Sequence, residues 1–286
     1  MQSSKKDLNE DIANFGIKPK KSFGQNFLVS DEALKSVVDA ADVREGDKIL
    51  EVGPGTGLLT ERLLDRGSKV LAVEKDKELF LILNSKFKKE IGEGRLIILN
   101  ADFLDLDFPS FVEKAGFSVG NYKVVANLPY QITSPFFERI VERGFLPEIV
   151  ALTLQKEVAE KISSNNKKKN SLGVIIRLCS QNSAIKKIFP PHFFYPQPKV
   201  SSALLVVSGL EYPKGIQIKQ LRRLVQAGFS EKRKKLINNL RKNFPEYKFS
   251  LEKFWQEQGL DENLRAEQIE ESEWLSISKS IFEDAK

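Results

Sequence analysis

A chain of 286 residues has room for one large domain and a smaller one, and 41% hydrophobic residues is ordinary for a soluble protein. One cysteine, Cys179, excludes an internal disulfide and fits a reducing compartment, while one histidine, His192, argues against a His-based metal site or a Ser-His-Asp triad. The 45 basic residues against 39 acidic, net +6, suit a polyanionic partner and equally suit a solvated basic surface. No apolar run approaches the roughly 20 residues that span a membrane. The start MQSSKKDLNE lacks the apolar core of a signal peptide, so a cytoplasmic protein is expected.

Residues 1–22, polar and lysine-rich as far as KPKKS, read as a flexible basic arm. Leu34, Val37, Val38 and Ala41 then recur at helical spacing. Strands and helices alternate after that: KILEVG (48–53) as a buried strand, TGLLTERLLDRG as a helix ended by Gly67, KVLAVE (69–74) as a strand and DKELFLILNSKF as a helix. RLIILNAD (95–102), KVVANLP (123–129) and EIVALTLQ (148–155) read as further strands. Strands apolar on both faces, separated by amphipathic helices, predict a parallel sheet covered on two sides. SSNNKKKNS (163–171) is a polar loop, followed by a helix around 172–180 that carries Cys179 as a small core residue. Two late strands, around 184–189 and at SALLVVSG (202–209), lack an obvious intervening helix and predict an antiparallel edge. Beyond 211 only helical spacing remains, in LRRLVQAGF, KLINNLRKNF, WQEQGL, ENLRAEQI and EWLSISKSI. The chain therefore reads as an α/β domain over 23–210 and a small all-helical domain over 211–286.

EVGPGTG (51–57) follows the first strand and opens a helix. Glycines such as Gly53 and Gly55 let the backbone approach a ligand, and a helix N-terminus offers free N–H groups. Close strand-to-helix packing would demand the same glycines. The spacing differs from the dinucleotide fingerprint G-x-G-x-x-G and leaves no place for a pyrophosphate. Glu74 ends the second strand, where a carboxylate can accept from both ribose hydroxyls of a nucleoside. Asp102 in NADF ends the third, within reach of an adenine amino group. Three such ends along one sheet edge make a nucleoside pocket that suits S-adenosylmethionine better than a dinucleotide.

NLPY (127–130) follows the strand KVVA at the same edge. An exocyclic amine on a base is a poor nucleophile, because its lone pair is delocalised into the ring. The Asn127 side-chain oxygen and the Leu128 carbonyl can each accept one of its N–H groups, favouring a pyramidal nitrogen. Pro129 fixes the direction of that carbonyl, and Tyr130 offers a face for stacking on an extruded base. In isolation the tetrapeptide is a turn with an edge tyrosine; its place in this sheet makes it an acceptor site.

FGQNFL (23–28), EVGPGTGLLT (51–60), NLPY, LQKEVAEKI (154–162), FYPQPKVSSA (194–203), EKRKKLINNL (231–240) and RAEQI (265–269) occur in an order and spacing that resemble the ribosomal RNA adenine N6,N6-dimethyltransferases over nearly the whole chain. The nearest resemblance is to the bacterial type that acts on two adjacent adenines near the 3′ end of 16S rRNA. The resemblance implies a Rossmann-like class I methyltransferase domain with a mostly parallel seven-stranded sheet, a helical C-terminal domain, and S-adenosylmethionine as donor with no metal. It implies a cofactor pocket lined by Asn26 and Leu28, with Gly53 at the amino-acid part, Glu74 at the ribose and Asp102 at the adenine. Asn127 serves cofactor and target alike, Tyr130 stacks on the target base, and Phe194 packs on its other face, with Phe193 and Tyr195 as flanking candidates. The partner implied is 16S rRNA within the immature 30S subunit, met by a monomer. Family members often carry Tyr-Gly where this chain has Lys169-Asn170.

EKRKK (231–235) can place Lys232, Arg233, Lys234 and Lys235 along one side of a helix to bind phosphate, or can be a solvated face; Arg222 and Arg223 are weaker candidates. His192 reads as a loop residue without a catalytic role. Two rival functions stand beside the first: a large-subunit dimethylase of the macrolide-resistance type, and an assembly factor whose binding matters more than its chemistry.

Overall fold

The computed structural model describes residues 18–142, 144–164 and 169–282. Most of the expected basic arm (1–17) and Lys167 and Lys168 of the polar loop lie outside the described residues. The strands are β1 (Phe27–Leu28), β2 (Lys48–Val52), β3 (Lys69–Glu74), β4 (Leu96–Asn100), β5 (Lys123–Asn127), β6 (Ile149–Gln155), β7 (Ser180–Phe189), β8 (Phe194–Tyr195) and β9 (Ser202–Leu210). Seven of them form one sheet in the order β4-β3-β2-β5-β6-β9-β7. β2, β3, β4, β5 and β6 run parallel, and β9 lies antiparallel to β6 with Gln155 opposite Ser202.

Helices Leu58–Asp65, Lys77–Lys86, Phe108–Lys114 and Thr133–Glu142 make the crossovers. Leu50, Val124, Val125 and Leu152 in the middle strands are fully buried, as a sheet covered on both faces requires. Each such side chain contributes about 1.5–3 kcal/mol of transfer free energy. The chain leaves β2 for β3 on one side and later returns to β5 on the other. That reversal opens a crevice at the carboxyl ends of β2 and β5, where ligands bind in open α/β sheets. Outside the large sheet, β1 and β8 pair as a short antiparallel ribbon, with Phe27 opposite Tyr195 and Leu28 opposite Phe194.

Two compact units emerge: the described residues up to Ala159 with Asn182–Leu210, and Glu160–Gln181 with Glu211 onward. The segment 160–181, expected within the α/β domain, therefore packs with the C-terminal helices. Arg177, at the end of helix Ser171–Leu178, donates to Glu271 Oε1 at 2.8 Å, and Lys169 Nζ donates to the Ile269 carbonyl at 2.8 Å. Asn170 caps that helix by accepting from Gly173 N at 2.8 Å. The Lys169-Asn170 pair thus has an internal structural use, and Lys169 does not face outward as an RNA contact. Cys179 sits just past this helix rather than on it, fully buried.

Helices Ile218–Gly228, Leu236–Asn243, Lys248–Glu257 and Glu271–Phe282 follow, and Trp274 of the last of them is fully buried. A Cβ on Gly228 would lie 2.3 Å from the Trp274 ring, so only glycine lets the helix backbone come this close. ENLRAEQI, expected as a helix, forms turns instead. Asp261 Oδ1 accepts from Asn263 N at 2.8 Å and Gln268 Oε1 accepts from Arg265 N at 2.7 Å. Such local side-chain bonds compete with the helical ladder and here outweigh good helix formers. No described helix is long and apolar enough to cross a membrane.

Candidate active site

The carboxyl ends of β2, β3 and β5 and the chain after β4 converge on a cleft of about 870 Å³, open mouth included. Asn26, Gly53, Gly55, Glu74, Asp102 and the whole of Asn127–Tyr130 line it. Gly53, Gly55 and Gly57 all have positive φ, at 70°, 62° and 81°. Their reasons differ. A Cβ on Gly57 would meet the Phe87 ring at 2.5 Å, so packing alone demands that glycine. A Cβ on Gly55 would approach the Phe27 ring to 2.9 Å, whereas Gly53 faces Pro129 at an ordinary 3.4 Å.

Glu74 is 5% exposed at the end of β3. Its two oxygens accept from Gly55 N at 3.1 Å and Asp76 N at 2.8 Å. Burial pushes its pKa up to about 7, opposed by those backbone N–H groups. Glu51, behind the glycine turn, accepts from the Thr60 hydroxyl at 2.7 Å and is pushed by burial to about 8. Asp102 lies two residues past β4 and accepts from Lys75 Nζ at 2.6 Å and Leu104 N at 2.9 Å. Burial works to raise its carboxyl, but the Lys75 and Leu104 bonds prevail and hold it below the usual range.

Across the cleft, Asn127 Nδ2 donates to the Asn26 carbonyl at 2.8 Å. A carbonyl only accepts, so this bond orients the Asn127 amide and leaves Oδ1 as its other end. The strap that supplies Asn26 is pinned to the β3 side by Asp76, which is 3% exposed. Asp76 Oδ1 accepts from Lys20 Nζ at 2.9 Å, and its Oδ2 accepts from Gln25 Nε2 at 3.0 Å. Lys20 N in turn donates to Gln25 Oε1 at 2.7 Å.

Two of the expected residues are not brought into the cleft. Leu28 and Phe194, partners across the β1–β8 ribbon, are 4% and 2% exposed and pack in the apolar core. Successive strand residues face opposite ways. Tyr195 therefore shares the face of Phe27, whose ring lines the cleft, and is 43% exposed. His192 stands edge-on to the Phe193 ring at 4.9 Å in a short 3₁₀ turn, away from the lining residues.

A family profile described as "Ribosomal RNA adenine dimethylase" matches residues 16–283. The chain belongs to the ribosomal RNA adenine dimethylase family. Similar proteins are the "Ribosomal RNA small subunit methyltransferase A" of Lactobacillus acidophilus, 37% identical over 94% of both chains, and that of Alkaliphilus oremlandii, 35% identical over 98% of this chain and 97% of the relative. Two solved structures share the fold of this dimethylase, each with TM-score 0.67. One, "23S rRNA methyltransferase ErmE", is 23% identical over 89% of this chain and 99% of its own. The other, a dimethyladenosine transferase from Plasmodium falciparum, is 22% identical over 87% and 94%. The dimethylase is thus an S-adenosylmethionine-dependent rRNA methyltransferase with a Rossmann-like class I domain and a helical C-terminal region.

In this dimethylase EKRKK is not a helix face but the turn between helices Ile218–Gly228 and Leu236–Asn243. Glu231 takes Lys234 at 2.9 Å and Lys242 at 2.8 Å, and these bonds draw its carboxyl down to about 2. Lys232, Arg233 and Lys235 stay exposed. Arg223 stands 5.4 Å from the Phe244 ring, and Arg222 is half-buried. Among the described residues, no group of three His, Cys, Asp or Glu side chains is placed to hold a metal. Sequence reasoning passed over Asp76, Gln25, Lys75 and Ser202. Asp76 alone had a signal, two residues after Glu74 at the start of a helix.

Proposed function

We propose that this chain moves methyl groups from S-adenosylmethionine to the N6 amines of two adjacent adenines in the 3′-terminal hairpin loop of 16S rRNA, within the maturing 30S subunit. It does so in the cytoplasm and as a monomer. The observation that carries the chemistry is the Asn127–Asn26 bond, which leaves Oδ1 as the end of the amide that can accept from an amine, at the sheet edge that also holds Glu74. The small-subunit target rests on relatives more than a third identical over nearly their whole length. ErmE, whose name gives 23S rRNA, is less similar in sequence.

The residues present fit the donor: a buried carboxylate for ribose hydroxyls, a second carboxylate for the adenine amine, and two glycines that keep side chains out of the cleft. When bound, the donor supplies an electrophilic methyl on a sulfonium. Glu74 accepts from the ribose hydroxyls with its remaining lone pairs. Asp102 accepts from the adenine amine as Lys75 gives way. Gly53 and Gly55 admit the amino-acid end against the backbone, beside Asn26 and the β1 strand that holds Leu28.

On the acceptor side the target adenine must first leave its stack. Asn127 Oδ1 and the Leu128 carbonyl take its N–H groups and aim the nitrogen lone pair into the cleft. Pro129 has no N–H to offer and holds the turn. Tyr130 stacks on the base, for roughly 1–3 kcal/mol. For the other face Phe194 has to leave the core, whereas Tyr195 is already exposed on the Phe27 side. Lys232, Arg233 and Lys235, with weaker help from Arg222, Arg223 and Lys234, bind RNA phosphates.

Incubation with labelled S-adenosylmethionine and undermethylated 30S subunits, followed by mapping of the modified bases, tests the reading. Label is expected at two adjacent adenines near the 3′ end of 16S rRNA. Label only in 23S rRNA, or in none, overturns it.

A further inference from the structure

The sequence FYPQPKVSS leads into β9, and its final serine, Ser202, lies behind the cleft and is not one of the residues that line it. Ser202 is 0% exposed. Its hydroxyl lies 2.6 Å from the Tyr130 hydroxyl, across 72 residues of chain. Tyr130 opens the 3₁₀ turn Tyr130–Ile132 directly after NLP and is one of the residues that line the cleft.

A ring held only at its Cβ swings about χ1 and χ2, and its χ2 well is broad. A second attachment at the far end of the phenol removes that freedom. The tether is well founded, because Ser202 sits at the first residue of β9, opposite Gln155 in the antiparallel pairing with β6. β6 is also the strand next to β5, which carries Asn127. The hydroxyl at the tip of Tyr130 and the amide of Asn127 are therefore both referenced to β6, the strand that lies between β5 and β9.

We propose that Ser202 is a positioning residue for methyl transfer: it fixes the plane of the Tyr130 ring against which the target adenine stacks. The inference rests on the stacking role given to Tyr130 above. It also assigns the Tyr130 hydroxyl to the tether and not to proton removal from the amine. Stacking needs a defined plane, and the amine nitrogen has to stay within hydrogen-bond reach of Asn127 Oδ1 and the Leu128 carbonyl at the same time. A tilted ring carries the nitrogen off line even with every other contact intact. Misplacement of this kind lowers the rate of the chemical step and leaves donor binding alone.

The test compares Ser202→Ala, Tyr130→Phe, the double variant and Tyr130→Ala in single-turnover methyl transfer to undermethylated 30S subunits. S-adenosylmethionine affinity and melting temperature are measured alongside. Ser202→Ala and Tyr130→Phe are each expected to slow transfer by about three- to tenfold, the weight of one hydrogen bond. The double variant should be no slower than either single one, and donor affinity should stay unchanged. Rates that multiply in the double variant overturn the tether, as does wild-type transfer by Tyr130→Phe. Should Ser202→Ala melt early, Tyr130→Phe carries the comparison, since it removes the same bond from the cleft side. Tyr130→Ala separates the two readings: near wild-type transfer there removes the stacking role itself, whereas its loss beside an active Tyr130→Phe removes only the tether.

Discussion

The side-chain nitrogen of Asn127 donates to the backbone carbonyl of Asn26 at 2.8 Å, joining the NLPY turn to the strap that lines the opposite part of the cleft. An aspartate at 127 would set a carboxylate oxygen against that carbonyl and lose the donor. Asn127→Asp and Asn127→Ala are expected to slow single-turnover methyl transfer by roughly 100-fold or more, in the range seen when an oriented polar group is removed from a reacting centre. RNA affinity, measured by filter binding, should change little. Near wild-type transfer by Asn127→Ala would remove the acceptor role of the amide.

Burial pushes the Glu74 carboxyl up to about 7, and a ligand that donates hydroxyls to it favours the ionised form. Donor affinity should therefore weaken as pH falls below about 7, approaching tenfold per unit at the acid end. Calorimetric titration of Glu74→Gln should show weaker binding with a flat profile over the same range. A pH-independent wild-type affinity between 5.5 and 8 contradicts this.

The sign reverses for stability of the ligand-free protein. Glu51 and Glu74 are both raised from 4.5, to about 8 and about 7, so the folded state holds these protons more tightly than the unfolded state does. Their contribution is complete below pH 4.5 and is lost as pH rises through 7 and 8. Glu51→Gln keeps an acceptor for Thr60 without the charge. Its melting temperature should fall less than that of wild type between pH 6 and 8.5.

Asp76 holds both Lys20 and Gln25, so Asp76→Ala frees the strap at its β3 end. Donor affinity is expected to drop roughly five- to tenfold, about one charge-assisted hydrogen bond after allowance for the exposed lysine. Lys20→Met should give a smaller loss, since the Gln25 bond survives it. Equal losses in the two variants would place the whole effect on the ion pair.

Phe194→Ala and Tyr195→Ala separate the two aromatics of the β8 ribbon. Phe194→Ala opens a core cavity and should lower stability by about 3–5 kcal/mol in denaturant unfolding. Tyr195→Ala should leave stability within about 0.5 kcal/mol, as surface changes do, and slow transfer if that ring covers the base.

The parallel strands were readable because KILEV and KVLAVE are short, β-branched apolar runs between amphipathic helices, the pattern that strands of a twice-covered sheet carry. The acids at their ends followed from that placement. Other features lay below what local pattern encodes. Helix Thr133–Glu142 begins three residues after NLPY, so its start signal, Pro135 in the first turn, merges with the proline turn before it. ENLRAEQI has the composition of a helix, but Asp261 and Gln268 spend their side chains on nearby backbone N–H groups. Phe194 and Tyr195 differ only in parity along a two-residue strand, and a register one residue away would exchange their faces. The bonds made by Asp76, Lys75 and Ser202 depend on distances across 27 to 72 residues of chain.

The segment Glu160–Gln181 makes the chain cross between its two units at 159/160, 181/182 and 210/211. A single cut therefore cannot release the helical unit as an appended module. Stopping the chain at Leu210 would leave Arg177, 8% exposed, without Glu271, and Lys169 without the Ile269 carbonyl. Gene fusions, split-protein designs and domain exchange with relatives will have to carry 160–181 together with 211–286, as an insertion plus a tail.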